Sequence, residues 1–335
     1  MRIAPVLILL IIMISQTTIA SNTIAAQTSG LLIVTTFDNL KYDVQQLVAP
    51  GDKVVSIVPP GVDPHSYSLK PKDIELLKKA DIIVSTGHVS FEKQIEKMVK
   101  DGMIKAYLVE IPNIPGLKIL DNPITGEPNL HMPIYDPYNY IVFITKITSI
   151  LMKLRPSMEN TYITHMKTIV DELLQLMSKA RELDGYGVGE SPPVQYAVDW
   201  LGLRIKYLAM IQPGVPAPPS ILEKIRYEAE HHIINYVVVI KNSTSSAHNL
   251  LINIAQKYGL KIIYVPSPTS PTSMLVKLRY IVEETSNGTA TITSTDHAVQ
   301  GGSKGITNNL WLPILIGVIT AFLMAYFILR RETRI

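Results

Sequence analysis

The chain has 335 residues, enough for two domains of ordinary size, and its formal net charge is only +3. This small charge, without a basic cluster carrying interleaved aromatic residues, argues against a nucleic-acid-binding protein. Because the sequence contains no cysteine, disulfides, thiolate metal sites and cysteine nucleophiles are excluded.

The first 26 residues have the pattern of a secretory signal peptide. One early cation, Arg2, precedes the apolar run 6–14, and small and polar residues follow it. The apolar run is short for a membrane anchor, which is the alternative interpretation. We therefore predict cleavage near Ala20 or near Ala25 and Ala26.

Residues 31–111 alternate between short apolar runs and amphipathic segments, which predict strands and helices respectively. This order favours a parallel sheet covered by helices on both faces. A proline-rich loop, 112–130, and a helix, 138–154, are predicted next. The predicted order before them is strand 31–36, helix 38–48, strand 53–58, helix 71–79, strand 81–86, helix 91–99 and strand 106–111.

A long helix is predicted in the middle of the chain. Pro156 breaks the preceding helix, and Ser157 is a suitable N-cap for a helix that continues to about Leu183. Apolar residues recur with the 3.6-residue period along it. About 27 helical residues would span ~40 Å, a length that suits a rigid connection between two domains.

A second alternation of helices and strands follows this helix. The predicted order is helix 194–201, strand 205–211, helix 220–230, strand 236–240, helix 245–258, strand 261–265 and helix 271–284. We therefore predict an α/β protein of two similar lobes, each with a parallel sheet flanked by helices, joined by one long helix.

The C-terminal part predicts a tethered membrane anchor. Residues 285–309 are rich in serine, threonine and glycine, which is typical of a flexible tether. Residues 311–329 carry no charge, and the run approaches the ~20 residues that span a bilayer. Trp311 lies at one end and Arg330 and Arg331 at the other, so we expect the body outside the cell and the tail inside.

These predictions divide the chain into seven parts. They are a signal peptide at 1–26, a first lobe at 27–155, a linking helix at 156–184, a second lobe at 185–284, a tether at 285–309, a transmembrane helix at 310–329 and a cytoplasmic tail at 330–335.

Two loops carry histidines in distinctive surroundings. The turn Pro59-Pro60-Gly61-Val62-Asp63-Pro64-His65-Ser66-Tyr67 follows the predicted strand 53–58. Ligands of open α/β sheets bind at this edge, and the prolines would hold His65 in place before a ligand arrives. The second loop contains Asn129-Leu130-His131, and Asp136-Pro137 follows it.

These loops resemble the ligand loops of a known family, the zinc/manganese-type substrate-binding proteins of ABC importers. The turn from Gly61 to Tyr67 resembles the first ligand loop almost residue for residue, and the loop around His131 resembles the second. The resemblance covers about residues 31–284. It implies two lobes joined by a rigid helix, with a metal ion in the cleft between them.

The resemblance also implies that His65 and His131 are two of the family's four metal ligands, for zinc, manganese or iron. Neutral imidazole does bind such ions. The family's third ligand position is Ser191 in this chain, its carboxylate after strand 236–240 is replaced by Lys241, and its final aspartate by Pro266 or Ser267. The second lobe thus supplies none of the expected histidine or carboxylate ligands.

Several residues are further candidates for the cleft. Those that could supply a missing metal ligand are His88, Asp136, Glu190 and Asp199. Lys241, Ser191 and the hydroxyls at 243–246 would instead suit an anionic ligand or a metal chelate. A third interpretation is a surface protein with a structural or interaction role and no metal.

The sequence therefore predicts a solute-binding protein outside the cytoplasm, anchored to the cell membrane by one span. It would act as a monomer and present a divalent metal ion to the permease of an ABC importer. An enzyme is disfavoured, because no nucleophile elbow, phosphate-binding glycine loop or His-Glu-x-x-His helix occurs.

Overall fold

The computed structural model describes residues 30–62, 64–212 and 214–286. The predicted signal peptide, transmembrane helix and cytoplasmic tail lie outside these residues, as does almost all of the predicted tether. Within the described ranges, every helix is too short or too polar to cross a bilayer.

The first lobe is a four-stranded parallel sheet covered by helices, as predicted. Its strands, in chain order, are β1 (Leu32–Phe37), β2 (Lys53–Val58), β3 (Ile82–Ser85) and β4 (Tyr107–Glu110), and they lie side by side as β2-β1-β3-β4. The connecting helices are α1 (Asp38–Gln45), α2 (Pro71–Lys79) and α3 (Ser90–Lys100). Buried β-branched residues such as Ile33 and Val34 favour the central strand and form the core.

The middle of the chain forms two helices, α4 (Pro137–Leu154) and α5 (Glu159–Lys179). The predicted N-cap at Ser157 is wrong, because this residue lies in the 3-10 turn Pro156–Met158 that precedes α5. Helix α5 has 21 residues, which corresponds to ~32 Å rather than the predicted ~40 Å. It ends at Lys179, where Ala180 takes up an extended conformation.

The second lobe is also a four-stranded parallel sheet. Its strands are β5 (Tyr186–Gly189), β6 (Arg204–Leu208), β9 (Tyr236–Ile240) and β10 (Lys261–Val265), in the spatial order β10-β9-β5-β6. Two short antiparallel strands, β7 (Met210–Gln212) and β8 (Val215–Pro216), lie beside it. The helices are α6 (Pro193–Asp199), α7 (Pro219–Glu230), α8 (Ser246–Tyr258) and α9 (Met274–Ser286).

Strand β5 is absent from the sequence-based prediction, although it lies inside the second sheet. Its sequence contains Gly187 and Gly189, and glycine disfavours strands. Close packing explains the second glycine. A Cβ at Gly189 would lie 2.6 Å from Val194 Cγ2 and 2.9 Å from Leu208 Cδ2.

We expect Gly189→Ala to lower the free energy of unfolding by about 1–3 kcal/mol, because α6 and β6 would have to move apart. Urea denaturation measures the change. Gly259→Asn is the matched control, since Gly259 ends α8 with a left-handed backbone and has open space around its Cα. Equal stabilities of Gly189→Ala and wild type would contradict this packing.

Helix α9 begins and ends later than predicted. It starts at Met274 instead of residue 271 and continues to Ser286. Thr285 is buried, so the first two residues of the predicted tether, 285 and 286, belong to this helix.

Hydrogen bonds join the two lobes independently of α5. The Tyr196 hydroxyl donates to the Asn129 carbonyl at 2.6 Å and accepts from the Leu120 amide at 2.9 Å. The Tyr135 hydroxyl donates to the Pro266 carbonyl at 2.6 Å. These contacts favour a molecule whose lobes move little relative to one another.

Two oppositely charged side chains are buried where α9 meets the first lobe. Asp43 in α1 and Lys277 in α9 are each 1% exposed. Asp43 Oδ1 accepts from the Tyr140 hydroxyl and the Met274 amide, and Lys277 Nζ donates to the Pro268 carbonyl at 2.7 Å. Burial raises the pKa of Asp43 to about 6 and lowers the pKa of Lys277 to about 8, so both are charged at neutral pH.

Candidate metal centre

Three histidines meet at the carboxyl ends of the strands of the first lobe. His65 lies in a 3-10 turn after β2, His88 lies between β3 and α3, and His131 precedes the 3-10 turn Pro133–Tyr135. One ring nitrogen from each lies within 4.8 Å of the others. The ring centroids are 5.9 Å apart for His65 and His88, 6.3 Å for His65 and His131, and 4.9 Å for His88 and His131. We call these three residues the histidine triad.

The turn that carries His65 is fixed by its neighbour Tyr67. The Tyr67 hydroxyl donates to Asp73 Oδ2 at 2.7 Å, and the Lys70 amide donates to the same oxygen at 2.9 Å. The Tyr67 ring also packs edge-on against Phe91, with centroids 5.3 Å apart. The exposed His65 is therefore attached to the first lobe through the start of α2.

The loop that carries His88 is organised by one buried carboxylate, Glu92, which is 1% exposed. Its Oε1 accepts from the Thr36 hydroxyl and the Thr86 amide. Its Oε2 accepts from the Thr86 hydroxyl and from the amides of His88 and Val89. Because Glu92 lies in the first turn of α3, the helix dipole also stabilises its charge.

We expect Glu92→Ala to weaken metal binding by about 10–100-fold, because partners that orient metal ligands typically have effects of this size. Isothermal titration calorimetry with zinc measures the change. Glu96→Ala is the matched control, since Glu96 lies on the same helix and pairs with Lys93 and Lys100 at the surface. Equal affinities of the two variants would show that the Glu92 network does not position His88.

The loop that carries His131 is attached to the second lobe. Asn129 Oδ1 accepts from the His131 amide at 3.1 Å. Asn129 Nδ2 donates to the Pro192 carbonyl and to Gln195 Oε1, both at 2.9 Å. The next residue, Met132, has a left-handed backbone with φ 57°. This conformation turns the chain immediately after the imidazole.

Burial keeps the imidazoles of His88 and His131 uncharged at neutral pH. It lowers the pKa of His131 to about 4, and the neighbouring His88 and His65 lower it further in the same direction. Burial also lowers the pKa of His88. Neutral imidazoles have a free lone pair, so the triad presents nitrogen donors of the type that zinc and other first-row ions bind.

A cavity of about 380 Å³ separates the triad from the second lobe. Besides the triad, its lining is mainly apolar and hydroxyl-bearing side chains. The apolar ones are Phe37, Met132, Pro193, Met210, Ile240 and Pro268, and the hydroxyl-bearing ones are Thr86, Ser191, Ser243, Ser245, Ser267 and Thr269. Gly214 and the carboxylate-bearing Glu190 complete it.

Glu190, which is 1% exposed, is engaged within its own lobe. Its Oε1 accepts from the hydroxyls of Ser243 and Ser245. Its Oε2 accepts from the Ile240 amide at 2.8 Å and from His248 Nδ1 at 3.3 Å. Two of the hydroxyls that the sequence suggested for an anionic ligand, those of Ser243 and Ser245, therefore bind this carboxylate instead.

The other predicted cleft residues have different positions. Ser191 lines the cavity. The expectation that Lys241 faces the cleft is wrong: its side chain is exposed, and Nζ lies 4.4 Å from the centroid of the Tyr280 ring, outside the cavity lining. The strand β9 ends at Ile240, and Asn242 then turns the chain with φ 59°.

Asp136 and Asp199 have structural roles. Asp136 caps α4, where its Oδ1 accepts from the amides of Tyr138 and Asn139, and burial raises its pKa to about 6. Asp199 pairs with Lys118 at 2.6 Å. Neither aspartate lines the cavity, so neither is placed to complete the triad.

The class of protein follows from a sequence match that covers most of the chain. Residues 33–281 match the sequence model of the family described as ZnuA, zinc-uptake complex component A, periplasmic. The protein belongs to this family of metal-binding substrate-binding proteins, and the resemblance stated from the two histidine loops is confirmed. The relatives that it matches are substrate-binding proteins of ABC transporters and not enzymes.

Individual relatives are distant. The iron-binding protein YfeA of Yersinia pestis is 26% identical over 170 residues, which cover 51% of this chain and 54% of YfeA. The chain thus spans about half the length of this curated relative, and shorter stretches of others match.

Solved structures share the fold. The crystal structure of ZnuA has a TM-score of 0.62 at 17% identity, covering 78% of this chain and all of that one. The protein FpvC of Pseudomonas aeruginosa, solved with Mn²⁺, has a TM-score of 0.62 at 19% identity and covers 77% of this chain and 99% of its own. The two-lobed architecture with parallel sheets flanked by helices is therefore shared.

Proposed function

We propose that this protein captures a divalent metal ion outside the cytoplasm and delivers it to the permease of an ABC importer. The observation that carries the proposal is the convergence of His65, His88 and His131 within 4.8 Å at the cavity between the lobes. Membership of the zinc-uptake family supports the transport role. The relatives named for iron binding and solved with Mn²⁺ support a first-row metal as the cargo.

His65, His88 and His131 are the proposed ligands. Each is fixed by a different buried or half-buried network, through Asp73, Glu92 and Asn129 respectively. Such networks hold the loops that carry the rings before the ion arrives and reduce the entropy that binding costs.

The donor set favours zinc over manganese. Three imidazoles supply nitrogen donors and no negative charge, whereas manganese prefers oxygen ligands. We expect the purified full-length chain to bind Zn²⁺ at least about 100-fold more tightly than Mn²⁺, following the general order of divalent affinities for nitrogen sites. Competitive titration with elemental analysis of the bound ion measures this. Equal affinity for both ions would show that oxygen ligands complete the site, and absence of any bound metal would refute the proposal.

The ends of the chain support a location outside the cytoplasm on the membrane. Residues 1–26 have a signal pattern, and 311–329 are long and apolar enough for one span. Protease treatment of intact cells should degrade the body of the protein and leave the short C-terminal tail protected. Full protection of the body would contradict this topology.

A further inference from the structure

We propose that the species captured in the cleft is a metal ion bound to one small organic chelator, which fills the cavity between the triad and the second lobe. This inference rests on the proposed function, because the triad must first hold the ion. It assigns to the cargo a second component that bears an oxygen or nitrogen donor for the ion and an apolar surface for the protein.

The triad leaves coordination positions open. All three ligands come from the first lobe, whereas zinc takes four ligands and sometimes five. The positions not taken by His65, His88 and His131 face the cavity that the three rings line. An additional donor must therefore enter from that cavity.

The second lobe does not present a ready donor. Glu190 is the carboxylate among the described residues of the cavity lining, and both of its oxygens already accept two hydrogen bonds. Moving it onto an ion would take this partner from half-buried donors such as the Ile240 amide. A hydrogen bond to a charged group contributes about 1.5–3 kcal/mol.

The cavity has room for more than an ion and two waters. Two waters occupy roughly 60 Å³ at about 30 Å³ each, whereas the cavity measures about 380 Å³. That volume falls in the range of about 300–1,000 Å³ that small-molecule sites have. Apolar walls around so much water would also be unfavourable.

The lining indicates the chemistry of the chelator. The second lobe contributes the apolar side chains of Met210, Ile240 and Pro268 and hydroxyls such as those of Ser191 and Ser267 to the lining. No lysine or arginine occurs among the described lining residues, so a chelator with several carboxylates would lack partners for its free charges. A bidentate chelator with one carboxylate, one nitrogen donor and an apolar face fits these walls.

Pyridine-2-carboxylate (picolinate) has this chemistry and is the probe. The full-length chain is loaded with Zn²⁺ and titrated with picolinate by calorimetry, and native mass spectrometry reads the composition of the complex. We expect a complex of one protein, one zinc and one picolinate. Zinc-loaded protein should bind picolinate at least about tenfold more tightly than metal-free protein, and by reciprocity picolinate should tighten zinc binding equally.

Cavity-filling variants locate the chelator. Met210→Trp and Ser267→Phe should each lose picolinate binding about tenfold or more while keeping zinc binding, since neither residue belongs to the triad. Met103→Trp is the matched control, because Met103 is 54% exposed and does not line the cavity. Citrate, which carries several carboxylates, should form no ternary complex.

The outcomes separate this inference from the proposed function. Zinc bound without picolinate, or picolinate that only strips zinc from the protein, would overturn the chelator and leave metal capture intact. Ternary complexes of equal stability in wild type and both cavity variants would place picolinate elsewhere and also overturn it. Failure to bind zinc at all would refute the proposed function itself.

Discussion

Replacing His88 with alanine is expected to weaken zinc binding by about 100-fold or more, as much as His65→Ala or His131→Ala. Each substitution leaves two imidazoles, and effects on ligands should exceed the about 10–100-fold that residues merely orienting the ligands have. Competition against a fluorescent zinc chelator measures the three affinities under one set of conditions.

His231→Ala is the matched control for these variants. His231 is exposed on the second lobe, and its Nδ1 lies 2.8 Å from the Tyr227 carbonyl. Its removal should leave zinc binding unchanged. If His88→Ala alone bound like wild type, the site would depend on His65, His131 and a ligand from elsewhere. Unchanged binding in all three variants would show that zinc binds elsewhere and would refute the triad as the metal site.

Lys277→Met should lower the free energy of unfolding by about 3–5 kcal/mol, because it leaves the charge of Asp43 buried without compensation. It also removes the hydrogen bond to the Pro268 carbonyl, which holds the cavity loop. Urea denaturation at pH 7 measures the loss. Lys224→Met on the exposed face of α7 is the matched control and should change stability little.

The double variant Asp43→Asn/Lys277→Met tests whether the two charges interact. It should be more stable than Lys277→Met alone, since replacing both charged partners avoids an unpaired buried charge. Strict additivity of the two single substitutions would show that the charges are independent.

The ionisation of Asp43 should make the stability of the folded protein fall as the pH rises. Its pKa is about 6 in the folded protein against an ordinary value of 3.8, so the folded state favours the protonated carboxyl. Its contribution to stability is therefore fully present below about pH 4 and is lost as the pH rises through 6. The stability of Asp43→Asn relative to wild type should increase over this interval, and a constant difference would contradict the shift.

Much of the fold is predictable from local sequence. The bounds of β2, α2, β9 and β10 agree with the predictions, because runs of valine and isoleucine define the strands and Pro71 begins α2. Strand β5 has no such run of valine and isoleucine and is not predictable from local sequence. Gly189 is explained by contacts with Val194 and Leu208, which are visible only after the lobe is assembled.

Only part of the site is predictable from local sequence motifs. His65 and His131 lie in motifs whose whole loops resemble ligand loops, whereas His88 is only one of four further candidates. The signal that could have identified His88 is positional: it follows β3, which lies on the other side of β1 from β2. When two parallel strands lie on either side of a third strand, the loops that follow them come together above the carboxyl end of that third strand.

The position of the Lys241 side chain does not follow from its register after β9. Lys241 follows the end of β9, but the left-handed turn at Asn242 redirects the chain, and the lysine packs against Tyr280. Glu190 and the following residue Ser191, which is the position given by the resemblance, both line the cavity.

The placement of all three imidazoles on one lobe has a consequence for how a loaded molecule is recognised. Capture of the ion requires no hinge bending, and the bonds from Tyr196 and Tyr135 hold the lobes together in any case. Empty and loaded molecules should then have nearly the same outline. A transporter that docks on both lobes would distinguish them by the positive electrostatic potential that the cargo adds at the entrance, and this discrimination should weaken as ionic strength rises.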